Sequence, residues 1–326
     1  MSAPGGDAEL IADRGEAVAG EEFFRSRPFF DAEGVTHTLR IESGATELLA
    51  PLLVRGIDGG PELDAISPYG YPGIAISSGT AEIDPTPSGS MSDTQVDPGG
   101  VDFSATGLVT AFVRHRLSRP PLSGASERNV VQIADPDLPR KSRGSDRNQV
   151  NKNLRRGYEL ELVPGPETTA TQRAAFLNAY EQTMRRTGAA AHYFFGAAYF
   201  DRILESAQTW LALARAPDGE IAAASIVARS DGYLHYYLSG STDSHLRDSP
   251  MKNIVAALVD FSSEQGLPLN LGGGISPGDR LEEFKRGFAN RELPWCSSEI
   301  VCDPVAYARL TDGRAAGDFF PAYRAS

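Results

Sequence analysis

The chain has 326 residues, of which 41% are hydrophobic and 23% charged. These are ordinary globular values, with room for two domains of usual size or one large one. A net charge of −12 argues against indiscriminate nucleic-acid binding, DNA included. No basic segment followed by an apolar stretch opens the chain and no apolar run reaches spanning length, so a soluble, cytoplasmic protein without a membrane partner is expected.

Residues 1–20 are rich in Gly, Ala and acids, without sustained apolar periodicity, and predict a loose N-terminus. Leu48 to Ile57 and Leu63 to Ile66 read as strands, Ser67 to Gly73 as a loop, and the Ser/Thr/Gly/Pro/Asp-rich residues 77–100 as a long surface loop. Strands return at Leu108 to Leu117 and Val130 to Ile133. Between Arg140 and Arg156 seven bases (Arg140, Lys141, Arg143, Arg147, Lys152, Arg155, Arg156) face one acid, Asp146. That composition suits first a solvated helix face, and as the sharper alternative a local patch that grips the phosphates of one placed RNA end.

The second half is more regular. Leu177, Tyr180 and Met184 recur at helical spacing within 170–187, with Gly188 as the stop. Trp210 to Ala214, Glu220 to Ala228 and Tyr233 to Leu238 read as an antiparallel meander, because Asp218-Gly219 and Asp231-Gly232 supply hairpin turns. Ser249-Pro250 reads as a cap plus first-turn proline ahead of Met251, Ile254, Val255, Leu258 and Val259, and Gly266 ends that helix. Leu269 to Leu271 is a short buried strand running into Gly272-Gly273-Gly274, read as a bulge or tight turn because no P-loop Lys-Ser/Thr follows. A last short helix opens at Asp279 with Glu282 as a capping-box partner. The order helix, meander, helix, strand, helix predicts a mixed α/β fold and excludes a Rossmann arrangement.

In that last helix Leu281, Phe284 and Phe288 define the expected inward face, and Lys285, four residues after Leu281, shares it. A lysine there is either a snorkelling or ion-paired structural group, or a fixed cation aimed at an oxyanion or phosphate. Tyr236 and Tyr237 occupy opposite faces of a strand, and His235 shares a face with Tyr237. Cys296 and Cys302 stand in no metal or redox spacing, so structural thiols and no metal are expected.

LHYYLSGS (234–241), SPMKNIV (249–255), LNLGGG (269–274) and GDRLEEFKRGF (278–288), in that order, resemble the C-terminal GNAT-like domain of the FemABX peptidyltransferases and their GNAT relatives. RNQVNKNLRRGYELEL (147–162), YEQTM (180–184) and GDFFPAYR (317–324) are similar to other parts of such proteins, and the first 120 residues match more weakly, through LDAISPYGYPG (63–73). The resemblance implies mixed, largely antiparallel sheets in two tandem GNAT-like domains: 1–145, completed by 305–326, and 146–304. It implies transfer of an amino acid from aminoacyl-tRNA to the amine of a peptide or natural-product acceptor, with Lys285 at the transfer site. Tyr69, Tyr71, Tyr193, Tyr236, Asn253 and Phe284 are the substrate-binding candidates, with the acceptor entering near Tyr69, Tyr71 and Tyr236. The basic segment Arg140–Arg156 is the RNA-binding candidate.

Two departures bear on substrates. Acetyl-CoA enzymes of the GNAT superfamily cradle the pyrophosphate on a glycine-rich turn. Here Arg247 to Asn253 has no glycine, Pro250 removes an N–H and Asp248 adds an acid, so no CoA cofactor is expected. Wall-building Fem enzymes also hold a nucleotide diphosphate with arginine after the first helix of the second domain, where this chain has Thr187 to Tyr193 behind Arg185 and Arg186. The rivals are an acyl-CoA-dependent N-acyltransferase and a non-catalytic binding protein on the same scaffold.

Overall fold

The computed structural model describes residues 5–77, 95–117, 120–312 and 319–325. In chain order the elements are β1 (Asp7–Ile11), α1 (Arg27–Glu33), β2 (His37–Ser43), β3 (Thr46–Gly56), β4 (Leu63–Ile66), β5 (Ala75–Ser77), β6 (Leu108–Arg114) and β7 (Ser126–Ala134). There follow α2 (Gly144–Arg155), β8 (Glu159–Pro164), α3 (Ala170–Thr187), α4 (Ala197–Ile203), β9 (Thr209–Arg215), β10 (Ile221–Ser230) and β11 (Tyr233–Ser241). The last are α5 (Met251–Gln265), β12 (Leu269–Gly272), α6 (Arg280–Arg286), β13 (Arg291–Val301) and α7 (Pro304–Thr311).

The architecture is mixed α/β, and the chain divides into two units. Unit 1 comprises Met1–Gly20, Glu33–Arg128 and Trp295–Ser326; unit 2 comprises Glu21–Ala32 and Asn129–Pro294. The boundaries expected at 145/146 and 304/305 therefore fall elsewhere, for reasons of strand pairing. The second half of β7 is the antiparallel partner of β12, so unit 2 begins there. Ser297 to Val301 pair with β6, so the chain is already back in unit 1 before α7.

In unit 1, β1, β2 and β3 form an antiparallel meander, β3 pairs with β4, β4 runs parallel to β6, and β6 is antiparallel to β13. The described part of the N-terminus, from Gly5 on, is not loose. Asp7–Ile11 pairs with β2 from Asp7↔Glu42 to Ile11↔Thr38, and Ala8 is buried against Leu39, Ile41 and Leu48. Five residues are too few to display a period among so many glycines and alanines. Most of the expected 77–100 loop, residues 78–94, lies outside the described residues. The C-terminal segment closes this unit. The Tyr323 hydroxyl meets Thr110 Oγ1 at 2.7 Å, and Arg324 forks onto the buried Asp64 at 2.5 and 3.0 Å.

In unit 2 the sheet runs β7-β12-β11-β10-β9-β8, antiparallel except for β11 with β12. The β10–β11 turn holds Asp231 at φ 53° and Gly232 at φ 73°, the double positive φ of a type I′ hairpin. In the β9–β10 turn only Gly219 is positive, at φ 89°. That turn is closed by Gly219 N–H to Ala216 O at 2.9 Å and followed by a bulge between Ile221 and Ala223. α3 starts on a full capping box, Thr169 with Gln172, and ends on Gly188 in the left-handed region. Its buried stripe is Phe176, Ala179 and Tyr180, one step round from the expected Leu177/Met184 line. The rotation lets the α3 backbone lie on β11 at Gly240, where a Cβ would stand 2.4 Å from Ala179 O.

On the other face of this sheet α5 presents Ile254, Val255, Leu258 and Val259 to Ala212, Ala214, Val227, Leu234, Leu269 and Leu271. Phe288 and Ala289, just after α6, complete that cluster. Small alanines on the strands and branched residues on the helix interlock, the usual solution for a helix on a sheet. Among the described residues no helix is long and apolar enough to cross a membrane.

Candidate functional site

Lys285 lies on α6 of unit 2 with 8% of its surface exposed. Its Nζ donates to Gly273 O at 2.7 Å, and burial pulls its pKa down to about 8 against a smaller opposing pull from Asp279. The ammonium keeps further donors beyond that bond. The inward face of α6 is not the one expected. Leu281 is 39% exposed, and Glu282 is buried in its place. The cause is polar. Asp279 caps the helix by accepting from Glu282 N at 2.7 Å, and the Glu282 carboxylate turns inward to take Gly278 N–H at 2.7 Å. Only half of a capping box forms, since the second bond goes one residue further back. Phe284 packs beside Phe288 at 5.7 Å, and both Phe284 and Tyr236 pack against the α5-face core.

The glycine run serves close approach. Gly272, at φ 76°, sits at a register shift in the β7–β12 pairing, so the expected bulge is present. A Cβ there would stand 3.0 Å from Lys285 Nζ, and one on Gly273 would strike Asn129 Nδ2 at 2.6 Å and Val130 O at 2.7 Å. Asn129 Nδ2 meanwhile donates to Gly274 O at 2.8 Å.

The turn ahead of α5 is filled by the protein's own side chains. Asn153 Nδ2 and Gln149 Nε2, both from α2, donate to Asp248 O at 2.7 and 3.1 Å. The Asp248 carboxylate takes the Tyr158 hydroxyl at 2.8 Å and pairs with Arg156. These partners hold its pKa low against burial, while burial and the bond to the Asp248 carboxylate push the Tyr158 hydroxyl up to about 12. Ser249 adopts φ 47° and makes no side-chain cap; the expected serine cap is absent because that residue spends its conformation on reversing the chain. Asn253 is fully buried, donates to Val150 O at 3.2 Å and accepts from Asn153 Nδ2 at 2.7 Å. In this structure the polar atoms of this substrate-binding candidate join α2 to α5.

The basic segment divides in two. Arg140 pairs with Asp260, Arg143 with Glu283 at 3.5 Å and Arg156 with Asp248, while Arg147 donates to Ser142 O at 2.6 Å. Lys141, Lys152 and Arg155 are exposed, the latter two on α2. Asp146 is buried and pairs with Lys252 at 2.9 Å. Arg185 and Arg186 are engaged by Glu181 and Asp243.

Of the aromatic candidates, Tyr69 and Tyr71 are half-buried in unit 1. Tyr69 N–H donates to Glu33 at 2.8 Å, and Tyr71 stands edge-on to Trp295 at 6.3 Å. Tyr193 follows α3, its carbonyl accepting the Tyr180 hydroxyl at 2.7 Å. Burial pushes Tyr236 up to about 12. His235 is held down to about 4 by burial; its Nε2 donates to Ser230 O at 3.1 Å and its Nδ1 accepts from Asn270 at 3.1 Å. That is a satisfied core histidine, on the Tyr237 face as expected, since Phe24 packs on both rings. Both cysteines are free thiols raised by burial, Cys302 to about 12, and neither is an activated nucleophile.

Phe284 and Tyr236 thus pack on one core of unit 2, and the candidate site is a buried cation bonded to a backbone carbonyl in the glycine run. Residues 140–286 match the family model of the acetyltransferase (GNAT) domain. Those residues therefore carry a GNAT-type acyltransferase domain. Its fold is similar to that of FemX, at 10% identity, with a TM-score of 0.54 over 83% of this chain and 89% of that one. It is also similar to the C-terminal DUF2156 domain of the Agrobacterium fabrum protein assigned as a lysylphosphatidylglycerol synthetase, at 14% identity, with a TM-score of 0.54 over 90% of this chain and 92% of that one. No curated protein matches by sequence. The motif-based resemblance to Fem-like and GNAT proteins therefore holds at the level of the GNAT domain and the fold.

Proposed function

We propose that this chain is a cytoplasmic aminoacyltransferase that makes an amide between an aminoacyl group, delivered as aminoacyl-tRNA, and the amine of a peptide or natural-product acceptor. The observation that carries this reading is the occupied turn ahead of α5. A CoA pyrophosphate needs open backbone N–H groups there. This turn instead holds a proline, a paired carboxylate and a carbonyl already bonded by Asn153 and Gln149. The exposed Lys141, Lys152 and Arg155 suit the phosphates of a placed RNA end on a protein whose net charge repels long polyanions. One of the two similar folds belongs to a protein named for joining lysyl to a lipid, which is also aminoacyl chemistry.

An aminoacyl ester is already activated, so catalysis consists of placing the amine and stabilising the tetrahedral oxyanion. The Lys285 ammonium, fixed by Gly273 O in low-dielectric surroundings, is the group for the second task. The test is transfer from a panel of aminoacyl-tRNAs, with and without RNase, and from acetyl-CoA, to peptide amines. RNase-sensitive amide formation is expected. Transfer that survives RNase and requires a CoA thioester overturns the reading in favour of an acyl-CoA enzyme; transfer under no condition favours a binding protein.

A further inference from the structure

β7 carries a polar side chain where its alternation calls for an apolar one. Gln132 lies two residues before Ala134, and Ala134 belongs to the core that Phe288 and Ala289 complete. Gln132 therefore points to the face covered by α6. Its contacts agree: Nε2 donates to Glu292 Oε1 at 3.0 Å, and the same oxygen accepts from Arg286 of α6 at 3.3 Å. Gln132 is fully buried, yet its Oε1 has no hydrogen-bond partner. A buried acceptor left unpaired is costly, and such groups in native proteins call for a functional or solvent explanation. Its neighbourhood supplies one. Gln132 is the register partner of Gly272, the residue whose absent side chain leaves room for Lys285 Nζ. Gln132, with its unpaired acceptor, and the donor-rich Lys285 ammonium are thus both neighbours of Gly272. The backbone leaving this glycine runs to Gly278, and both take positive φ, 76° and 75°.

We propose that Gln132 is the residue that positions the acceptor amine, its Oε1 accepting one N–H of the attacking nitrogen; this rests on the amide-forming reading above. A neutral primary amine brings two N–H groups and one lone pair. Holding one N–H on Oε1 turns the lone pair toward the ester carbonyl carbon. The C–N bond forms as the carbonyl π pair moves onto oxygen, where Lys285 Nζ–H meets it. The intermediate then collapses, the C–O bond to the ribose breaks, and the departing alkoxide takes up the proton that nitrogen sheds. Gln132 takes no proton at any stage. Its Nε2 bond to Glu292 fixes which end of the amide faces the amine.

The probe is methoxyamine, a primary amine uncharged at neutral pH, compared with its N,N-dimethyl derivative, which has no N–H. Binding is read on the Gln132 side-chain amide in 15N-labelled protein, the signal being assigned by its loss in Gln132→Met. A saturable shift with methoxyamine and none with the dimethyl compound is expected. No shift, or equal shifts, overturns the proposal and leaves an enclosed water as the partner of Oε1. In transfer assays Gln132→Met is expected to raise the KM for methoxyamine at least tenfold with the donor KM unchanged. A purely structural glutamine would depress kcat and leave the amine KM alone, which also overturns it. The titration needs no donor, so a wild-type protein that binds methoxyamine but does not use aminoacyl-tRNA removes the donor assignment and keeps Gln132.

Discussion

Replacing Lys285 by Met separates a catalytic lysine from a structural one, because the two roles move stability in opposite directions. The folded-state pKa is about 8 against an ordinary 10.5. The charged form is thus disfavoured by the fold, and the difference corresponds to about 3 kcal/mol at neutral pH. Between pH 8 and 10.5 the unfolded chain binds the extra proton, so wild-type stability rises with pH across that window and the burden is full below it. Met fills nearly the same volume without the charge. It also leaves Gly273 O without its donor, a loss of about 1–2 kcal/mol. The net expectation is that Lys285→Met is about 1–2 kcal/mol more stable than wild type at pH 7, an advantage that shrinks toward pH 10.5. Urea denaturation at several pH values measures this. Transfer activity should fall about 10²–10³-fold, the usual effect of removing one oxyanion donor, and the alkaline limb of the wild-type pH profile near 8 should vanish. A variant that loses stability and keeps activity would refute the assignment.

Reversing the exposed charges together, Lys141→Glu, Lys152→Glu and Arg155→Glu, should weaken aminoacyl-tRNA binding and lower the slope of log affinity against log salt by up to about 3, measured by filter binding across salt concentrations. Asn253→Leu should destabilise by about 1–2 kcal/mol, since Asn153 Nδ2 and Val150 O each lose one buried partner; a smaller effect in urea unfolding would mean the α2–α5 join is soft. Gly240→Ala should cost about 1–3 kcal/mol by pushing α3 off β11, read as a lower midpoint at unchanged m-value. His235 and His115 are each held down to about 4 by burial, below their ordinary 6.5. Their stability contribution is present above pH 6.5 and lost as pH falls toward 4, about 3 kcal/mol apiece, and His235→Asn should flatten that acid limb in calorimetry.

The meander and α5 were legible in the sequence because Asp-Gly turns and an uninterrupted i, i+3, i+4 pattern each state one local preference strongly. β1 and the rotation of α3 were not. Ala8 carries little hydrophobic weight, and the α3 stripe is chosen by how closely Gly240 lets a backbone approach, which is a tertiary fact. Lys285 could be placed on an inward face from spacing, but Leu281 was set on the wrong side because the inward turn of Glu282 depends on a distant N–H at Gly278. Asn253 looked like a ligand-facing residue at a helix start; its partner Asn153 lies a hundred positions earlier. Gln132 gave one signal, an amide between Val131 and Ile133 in a strand, and periodicity alone does not tell an unpaired oxygen from a bonded one.

The join between α2 and the first turn of α5 also bears on how this scaffold can change. To accept a pyrophosphate, the turn would have to lose a proline, a carboxylate and two amide side chains that bond its carbonyl, and Asn153 also serves Asn253 in the interior. Any one of these replacements alone weakens the fold before it opens a phosphate seat. Under the proposed aminoacyl-donor reading, passage to thioester chemistry requires several simultaneous steps, and donor preference is a stable inheritance rather than a tunable trait.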